Sequence, residues 1–134
     1  MIEINKSLPL SNLKDLNFEQ IAITSNPNGG FLAFLDFENE FALSSEKIDE
    51  CLEELEKNRK TNQLSFSGWI GFFGYEFLAK HLGLKLKAKR DLDVSDGWFG
   101  RPQTIIHLLP ESTNIESTIS GREEKISILL NFSK

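Results

Sequence analysis

The amino-acid sequence predicts an α+β fold, in which a largely antiparallel sheet packs with two or three helices in a single domain. Short β-branched and aromatic segments separated by turn residues are typical of antiparallel strands. One segment in the first half of the chain has the apolar spacing of an amphipathic helix. The chain has 134 residues, the length of one domain, and no linker divides it. We therefore expect one domain over residues 1–134.

The N-terminal part of the chain predicts two or three strands. Residues 18–25 have the β-branched content of a strand. The sequence Asn-Pro-Asn-Gly-Gly at 26–30 is a turn by composition. Residues 31–37 are almost all apolar and predict a second strand. We expect the Glu-Asn pair at 38–39 to turn this strand back into residues 40–43, which would form a hairpin.

A helix is predicted over residues 45–60. Ser44 or Ser45 can cap its N-terminus, because a serine hydroxyl accepts a hydrogen bond from a free backbone N–H of the first turn. Its apolar stripe at positions i, i+3, i+4 and i+7 consists of Ile48, Cys51, Leu52 and Leu55. We therefore expect Cys51 to be a small buried residue.

The most distinctive stretch is residues 66–81, which combine many aromatic residues with glycines at every third position. Residues 66–73 are apolar on both faces of an extended strand, which predicts an inner strand covered on both sides. We therefore expect Trp69, Phe72 and Phe73 to be largely buried. Helical spacing takes over after Gly74, so this glycine is expected at a strand-to-helix corner that tolerates no Cβ.

The remaining elements follow from local patterns. Residues 84–90 alternate Leu with Lys, which is typical of an edge segment with lysines outward, and 91–97 form a polar loop. Residues 98–99 and 103–109 are strand-like, and 115–119 should pair with the latter across a turn. A final helix is predicted from apolar residues at helical spacing, although the same run is compatible with a strand; these residues are Ile126, Leu129 and Leu130.

Composition limits the class of protein. The net charge of −5 does not indicate a nucleic-acid surface. No apolar run is long enough to cross a bilayer, and the first residues do not resemble a signal peptide. The single Cys cannot form an internal disulfide, which fits a reducing compartment. We therefore expect a cytoplasmic protein with neither nucleic acid nor a membrane as its partner.

Candidate catalytic chemistry is sparse. The glycine-rich stretch lacks the Lys-Ser/Thr of a P-loop and the spacing of a dinucleotide fingerprint, so its aromatics favour packing. Tyr75 and Glu76 are the most site-like pair, but an acid beginning a helix also stabilises that terminus. The loop at 91–97 does not match the ligand spacing of a calcium site. Neither a zinc spacing nor a nucleophile motif is present, so we predict no catalytic and no metal-binding residue.

Residues 68–76 carry a resemblance to a known family. They are similar to the signature G-x-x-G-Y-x-x-Y followed by Glu or Asp, found in component I of chorismate-utilising enzymes. This signature lies in the N-terminal region of anthranilate synthase and para-aminobenzoate (aminodeoxychorismate) synthase. The matching positions here are Gly68, Trp69, Gly71, Phe72, Gly74, Tyr75 and Glu76. Phe72 stands where the family usually has Tyr, and weaker similarity extends over residues 84–120.

The resemblance implies that these 134 residues are an isolated N-terminal portion of a longer enzyme and are inactive alone. The implied partners are the chorismate-binding catalytic domain and a glutamine amidotransferase subunit. Magnesium is implied only in that catalytic region, and no cofactor in this chain. Exposure of the surface that packs on the catalytic region predicts self-association, most simply as a two-fold homodimer. The expected contact residues are Trp98, Phe99, Ile126, Leu129 and Phe132.

The branch of the family follows from one further motif. Anthranilate synthases carry Leu-Leu-Glu-Ser in their first strands, where it helps to bind the feedback inhibitor tryptophan. The corresponding residues here end in Thr24 and Ser25, which resemblance marks as ligand-binding candidates. Because Thr24 replaces the Glu, we favour the para-aminobenzoate branch of folate biosynthesis. Anthranilate synthase in tryptophan biosynthesis and a stand-alone small-molecule or protein-binding module are the alternatives.

Overall fold

The α+β class with a largely antiparallel sheet is confirmed by the computed structural model. The structure describes residues 1–16, 18–44, 46–57, 64–74, 77, 81–82 and 97–132. The regular elements in chain order are β1 (Ile2–Ile4), a 3-10 helix (Leu10–Asp15), β2 (Ile21–Ser25), β3 (Phe31–Ala42), α1 (Ile48–Lys57), β4 (Ile70–Phe73), β5 (Gly97–Leu108), β6 (Thr113–Ser117) and α2 (Arg122–Phe132).

The strands form one sheet in the order β1-β6-β5-β3-β2, and β4 pairs with β5. β1 with β6, β2 with β3, β4 with β5 and β5 with β6 are antiparallel pairs. The predicted pairing after residue 103 is confirmed: Ile106 lies opposite Ile115, and the Leu109 N–H donates to Ser112 O at 2.9 Å across the turn. The strand-like segments at 98–99 and 103–109 belong to the single long strand β5.

The predicted hairpin turn at Glu38-Asn39 is wrong, because β3 continues through it to Ala42. The chain instead adopts positive φ at Asp36 (55°) and Asn39 (54°). Asp and Asn tolerate this left-handed conformation better than other residues with a Cβ. The polar residues therefore make local irregularities in one strand and do not reverse its direction.

The chain divides into two compact units. The first comprises Met1–Glu38, Asn62–Ser67 and Pro102–Lys134. In its core, the 3-10 helix and α2 pack on residues of β1, β3, β5 and β6. The buried side chains of this core are Ile4, Leu8, Leu13, Leu16, Ala33, Leu35, Ile106, Leu108, Ile115, Ile126 and Leu130.

The second unit comprises Asn39–Thr61 and Gly68–Arg101. Its core contains Leu43, Cys51 and Phe77, so the prediction that Cys51 is buried is confirmed. A helix is present in the predicted region as α1, but it begins at Ile48, later than predicted. Ahead of it, the Ser44 hydroxyl accepts a hydrogen bond from the Glu46 N–H at 3.3 Å. The predicted segments at 84–90 and 91–96 lie outside the described residues.

The C-terminal helix is confirmed as α2, but its place in the fold overturns one expectation. Ile126 and Leu130 are 0% exposed, and Leu129 packs partly buried against the same core. Ile126 therefore cannot provide an exposed surface for self-association, and that prediction is wrong for Ile126. Leu129 is only partly buried, so its part in self-association stays a prediction. The apolar residues at helical spacing form the stripe by which α2 packs on the core. No helix in the described part of the chain is long and apolar enough to cross a membrane.

Candidate functional site

The two residues predicted to bind a ligand lie on β2. Thr24 pairs with Leu32 and Ser25 pairs with Phe31, and both are exposed. Adjacent residues of a strand point to opposite faces of the sheet. The structure therefore places the hydroxyls of Thr24 and Ser25 on opposite faces and does not bring them together.

The glycine-rich signature is built around β4, in the second unit. Gly71 lies opposite Phe99 in the antiparallel pair of β4 and β5. A Cβ on Gly71 would lie 1.9 Å from the Trp98 carbonyl oxygen and 2.7 Å from both Cα and Cγ of Phe99. Two of these three atoms belong to the backbone and cannot rotate away. Gly71 is therefore required for the close approach of the two strands, as a glycine inside a strand often is.

A second glycine makes the same junction possible from the side of β5. Gly97 lies opposite Phe73 and has φ of 142°. A Cβ there would lie 2.4 Å from the Phe72 carbonyl oxygen and 2.5 Å from Cδ1 of Leu43. The Leu43 N–H also donates to the Gly97 carbonyl at 2.9 Å. Gly97 therefore lets the core side chain of Leu43 lie against the first residue of β5, a role that was not predicted from its place in a polar loop.

Trp69 of the signature is half-buried and is held by several contacts. Its indole N–H donates to the carbonyl of Leu55, near the end of α1, at 2.8 Å. Its ring packs edge-on against Phe41, with ring centroids 5.3 Å apart. The guanidinium carbon of Arg101 lies 5.8 Å from the ring centroid, within cation–π range. Trp69 therefore joins α1 to the strands of its unit.

The prediction that Phe72 and Phe73 are largely buried is wrong. Phe72 is 49% exposed and Phe73 is 38% exposed. Among the described strands β4 pairs with β5 alone, so no described strand covers its other edge. Phe73 still contacts Phe99, with ring centroids 5.0 Å apart. Phe73 therefore lies on the face of β4 that packs against Phe99. Phe72 lies on the opposite face, where it is exposed to solvent.

The other signature positions are only partly described. Gly68 is half-buried before β4, and Gly74 is buried directly after it. The intolerance of Gly74 to a Cβ remains a prediction. Tyr75 and Glu76, the most site-like pair of the sequence, lie outside the described residues. Phe77, which follows them, is 1% exposed and belongs to the core of the second unit.

A polar cluster that the sequence analysis missed lies in the first unit. Glu116 on β6 is 6% exposed, and its Oε1 accepts a hydrogen bond from the Ser65 backbone N–H at 2.7 Å. Its Oε2 accepts the Ser65 hydroxyl and lies 2.5 Å from Nε2 of His107 on β5. One buried carboxylate therefore holds both a neighbouring strand and the segment around residue 65.

These contacts set the ionisation of the cluster. Burial raises the pKa of Glu116, but the hydrogen bonds from Ser65 and His107 and the attraction of His107 lower it further than burial raises it. The net effect is a Glu116 pKa below its ordinary value of 4.5. The ionised carboxylate is therefore the form that the folded chain stabilises.

The cluster contains a Ser, a His and a Glu, but it is not arranged as a nucleophilic triad. In a triad the His accepts the Ser proton on one ring nitrogen and the carboxylate holds the other nitrogen. Here the Ser65 hydroxyl and Nε2 of His107 both donate to the same oxygen of Glu116, and Oγ and Nε2 are 3.3 Å apart. His107 therefore does not stand between Ser65 and the carboxylate as the base of a triad does, and the arrangement fits a tether.

A second polar network lies around Asp36, the residue of positive φ in β3. Its Oδ2 accepts hydrogen bonds from the Thr104 hydroxyl at 2.6 Å and from Nε of Arg122 at 2.9 Å. Thr104 is 0% exposed, and its hydroxyl also lies 2.8 Å from that of Ser117. Such contacts offset the cost of a left-handed residue, which is about 1–2 kcal/mol. The network therefore ties β3 to β5, β6 and the start of α2.

No group of three or more His, Cys, Asp and Glu side chains that could hold a metal ion occurs among the residues that the structure describes. Comparisons of the chain with protein-family models, with curated proteins and with solved structures returned no match.

Proposed function

We propose that this chain is the non-catalytic N-terminal region of a component I chorismate-utilising enzyme, in the para-aminobenzoate (aminodeoxychorismate) branch of folate biosynthesis. The observation that supports this proposal best is the agreement between the signature and its packing. Gly71 stands at a signature glycine, and its missing Cβ is what allows β4 to approach β5. The signature here is thus the sequence of a strand junction with a definite steric requirement.

Exposed aromatic side chains on one face of the β4–β5 pair indicate a contact surface for another protein region. Phe72 lies directly opposite Trp98, so the two side chains share one face of the strand pair. Phe72 is 49% exposed and Trp98 is half-buried. Exposed apolar groups on one face are typical of a surface that packs on another protein region. We propose that this face binds the chorismate-binding catalytic domain, and that the region contributes to the interface with the glutamine amidotransferase subunit.

This role requires no chemistry from the chain itself. Chorismate and magnesium would bind in the catalytic domain, and the N-terminal region would support that domain in the cytoplasm. The replacement of Glu by Thr24 in the tryptophan motif favours the branch without tryptophan feedback.

A binding titration tests the proposal. The chain is titrated by calorimetry into the chorismate-binding portion of an aminodeoxychorismate synthase component I that lacks its own N-terminal region. We expect saturable one-to-one binding, weakened at least ten-fold by Phe72→Asp, because a carboxylate would be buried without a partner. Ile128→Asp is the matched control, since Ile128 is also exposed, at 57%, but lies on α2.

The alternatives are outcomes of the same titration. Preferential binding to the catalytic portion of anthranilate synthase would move the chain to the tryptophan branch and overturn the para-aminobenzoate assignment. Binding to neither portion would overturn the proposal and leave a stand-alone binding module. Equal weakening by Phe72→Asp and Ile128→Asp would show that the aromatic face is not the contact surface.

A further inference from the structure

The outer edge of β2 has no partner strand within the part of the chain that the structure describes. β2 lies at one end of the strand order, and among the described strands it pairs with β3 alone. Its five residues, Ile21 to Ser25, pair with β3 without interruption and carry no charge. Natural edge strands are usually protected by a Lys, a Pro or a bulge, because their free N–H and C=O groups bind other strands. β2 has none of these protections within Ile21–Ser25.

The side chains along this edge extend an apolar face beyond the core. Ile23 lies opposite Ala33, which is buried in the core of the first unit, and Ser25 lies opposite Phe31. Ile23 and Phe31 therefore share the core-facing side of the sheet. Ile23 is nevertheless 47% exposed and Phe31 is 39% exposed. A further strand beside β2 would cover Ile23 and continue the same apolar face.

We propose that the β2 edge of one copy of this chain binds the β2 edge of a second copy, antiparallel, with the two-fold axis passing beside Ile23. In this register Ile23 meets Ile23 of the second copy, Ala22 meets Thr24, and Ile21 meets Ser25. Every pair is uncharged, and the apolar residue with the greatest exposure on β2 lies at the centre. β-branched residues such as Ile are enriched in strands, where their side chains pack on neighbouring strands.

The residues that flank β2 also fit a second copy. Continuing the register, Glu19 would lie beside Pro27 of the second copy, and Gln20 would lie beside Asn26. Glu19 therefore meets no other carboxylate at the interface, although the chain has a net charge of −5. Like charges directly opposite each other in a strand pair are destabilising, and this register avoids them. An isologous contact of this kind closes at two copies.

The expected dimer is weak and reversible. Five residues span about 17 Å of strand, which is a typical strand length but gives an interface smaller than that of a stable complex. We therefore expect association at high micromolar to millimolar concentration of protein. Sedimentation equilibrium over that range should show a monomer and dimer in equilibrium.

Substitution of Ile23 tests the register in solution. Ile23→Lys would place two ammonium groups side by side at the two-fold axis, so we expect the dissociation constant to rise at least ten-fold. Ile128→Lys is the matched control: Ile128 is 57% exposed on α2, away from the edge, and its substitution should leave the constant unchanged. Circular dichroism of both variants shows whether they remain folded.

Chemical crosslinking gives an independent test if Ile23→Lys does not fold. Directly opposite residues of a strand pair have Cβ atoms about 4.5–5.5 Å apart. A short bis-maleimide should therefore join Ile23→Cys to its counterpart, while Ile128→Cys should remain monomeric. The buried native Cys51 gives the background in the unsubstituted chain. A strictly monomeric chain at millimolar concentration, or equal crosslinking of both variants, would overturn the proposal.

Discussion

Substitution of Gly71 by Ala is the sharpest test of the packing that underlies the proposed function. The added methyl carbon would lie 1.9 Å from the carbonyl oxygen of Trp98 and 2.7 Å from the Cα of Phe99. Real Cβ atoms essentially never come within 3.0 Å of another heavy atom in this way. The clash is with backbone, so no side-chain rotation relieves it, and β4 must move away from β5.

The cost can be estimated from two contributions. Overpacking of a closely packed site typically costs about 1–3 kcal/mol. Separation of β4 from β5 also weakens backbone hydrogen bonds in the four-residue pair, each worth about 1 kcal/mol. We therefore expect Gly71→Ala to lower the free energy of unfolding by roughly 3–5 kcal/mol, a large part of the 5–15 kcal/mol typical of a domain.

Urea titration followed by tryptophan fluorescence measures this loss, because both Trp residues belong to the same unit as Gly71. Gly121→Ala is the control: Gly121 has φ of 78°, but a Cβ there meets nothing within 4 Å. It should cost only about 1 kcal/mol, from the left-handed backbone alone. If Gly71→Ala cost no more than Gly121→Ala, the argument that the signature glycine permits a close strand approach would be refuted.

Two further predictions concern single contacts. Because the pKa of folded Glu116 lies below 4.5, its ionised form stabilises the chain above that pH, and this stability is lost as the pH falls through the lower folded value. Acid titrations of unfolding free energy should therefore show Glu116→Gln and the unsubstituted chain converging at low pH; a constant difference would contradict the role of the carboxylate. Trp69→Phe keeps an aromatic six-membered ring but removes the indole N–H that donates to the Leu55 carbonyl, so urea titration should show a loss of about 1–3 kcal/mol, and no loss would show that the bond is unimportant.

Local signals in the sequence predicted the elements that depend on neighbouring residues. The Asn-Pro-Asn-Gly-Gly turn forms as expected, with the Asn26 N–H donating to Gly30 O at 3.0 Å and positive φ at Gly29 and Gly30. The pairing of β5 with β6 follows from the short turn between them. These features need only a few consecutive residues, so the sequence determines them directly.

Burial depends on strands that are distant in the sequence and was harder to predict. The sequence around Phe72 is apolar on both faces, which is the pattern of an inner strand. β4 nevertheless has a single partner among the described strands, and Phe72 is 49% exposed. The turn expected at Asn39 did not form, because an isolated left-handed residue can be accommodated within a strand. An apolar pattern on both faces does not distinguish a covered strand from one that is open to a partner.

Only part of the cluster of Glu116, His107 and Ser65 could be predicted from the sequence. The expected pairing of 103–109 with 115–119 brings His107 and Glu116 onto neighbouring strands, and Glu116 lies opposite Ile105 on the same face as His107. That much could have been read from the register. Ser65 is 51 positions away from Glu116, and no local pattern connects them.

The most direct test of the proposed function is reconstitution of activity from two separate pieces. The chain is mixed with the chorismate-binding portion of an aminodeoxychorismate synthase component I that lacks its own N-terminal region, and chorismate, magnesium and ammonia are added. We predict that 4-amino-4-deoxychorismate forms faster with both pieces than with the catalytic portion alone, and that this chain alone forms none. A rate identical with and without the chain, at concentrations that saturate any binding, would contradict the assignment to component I.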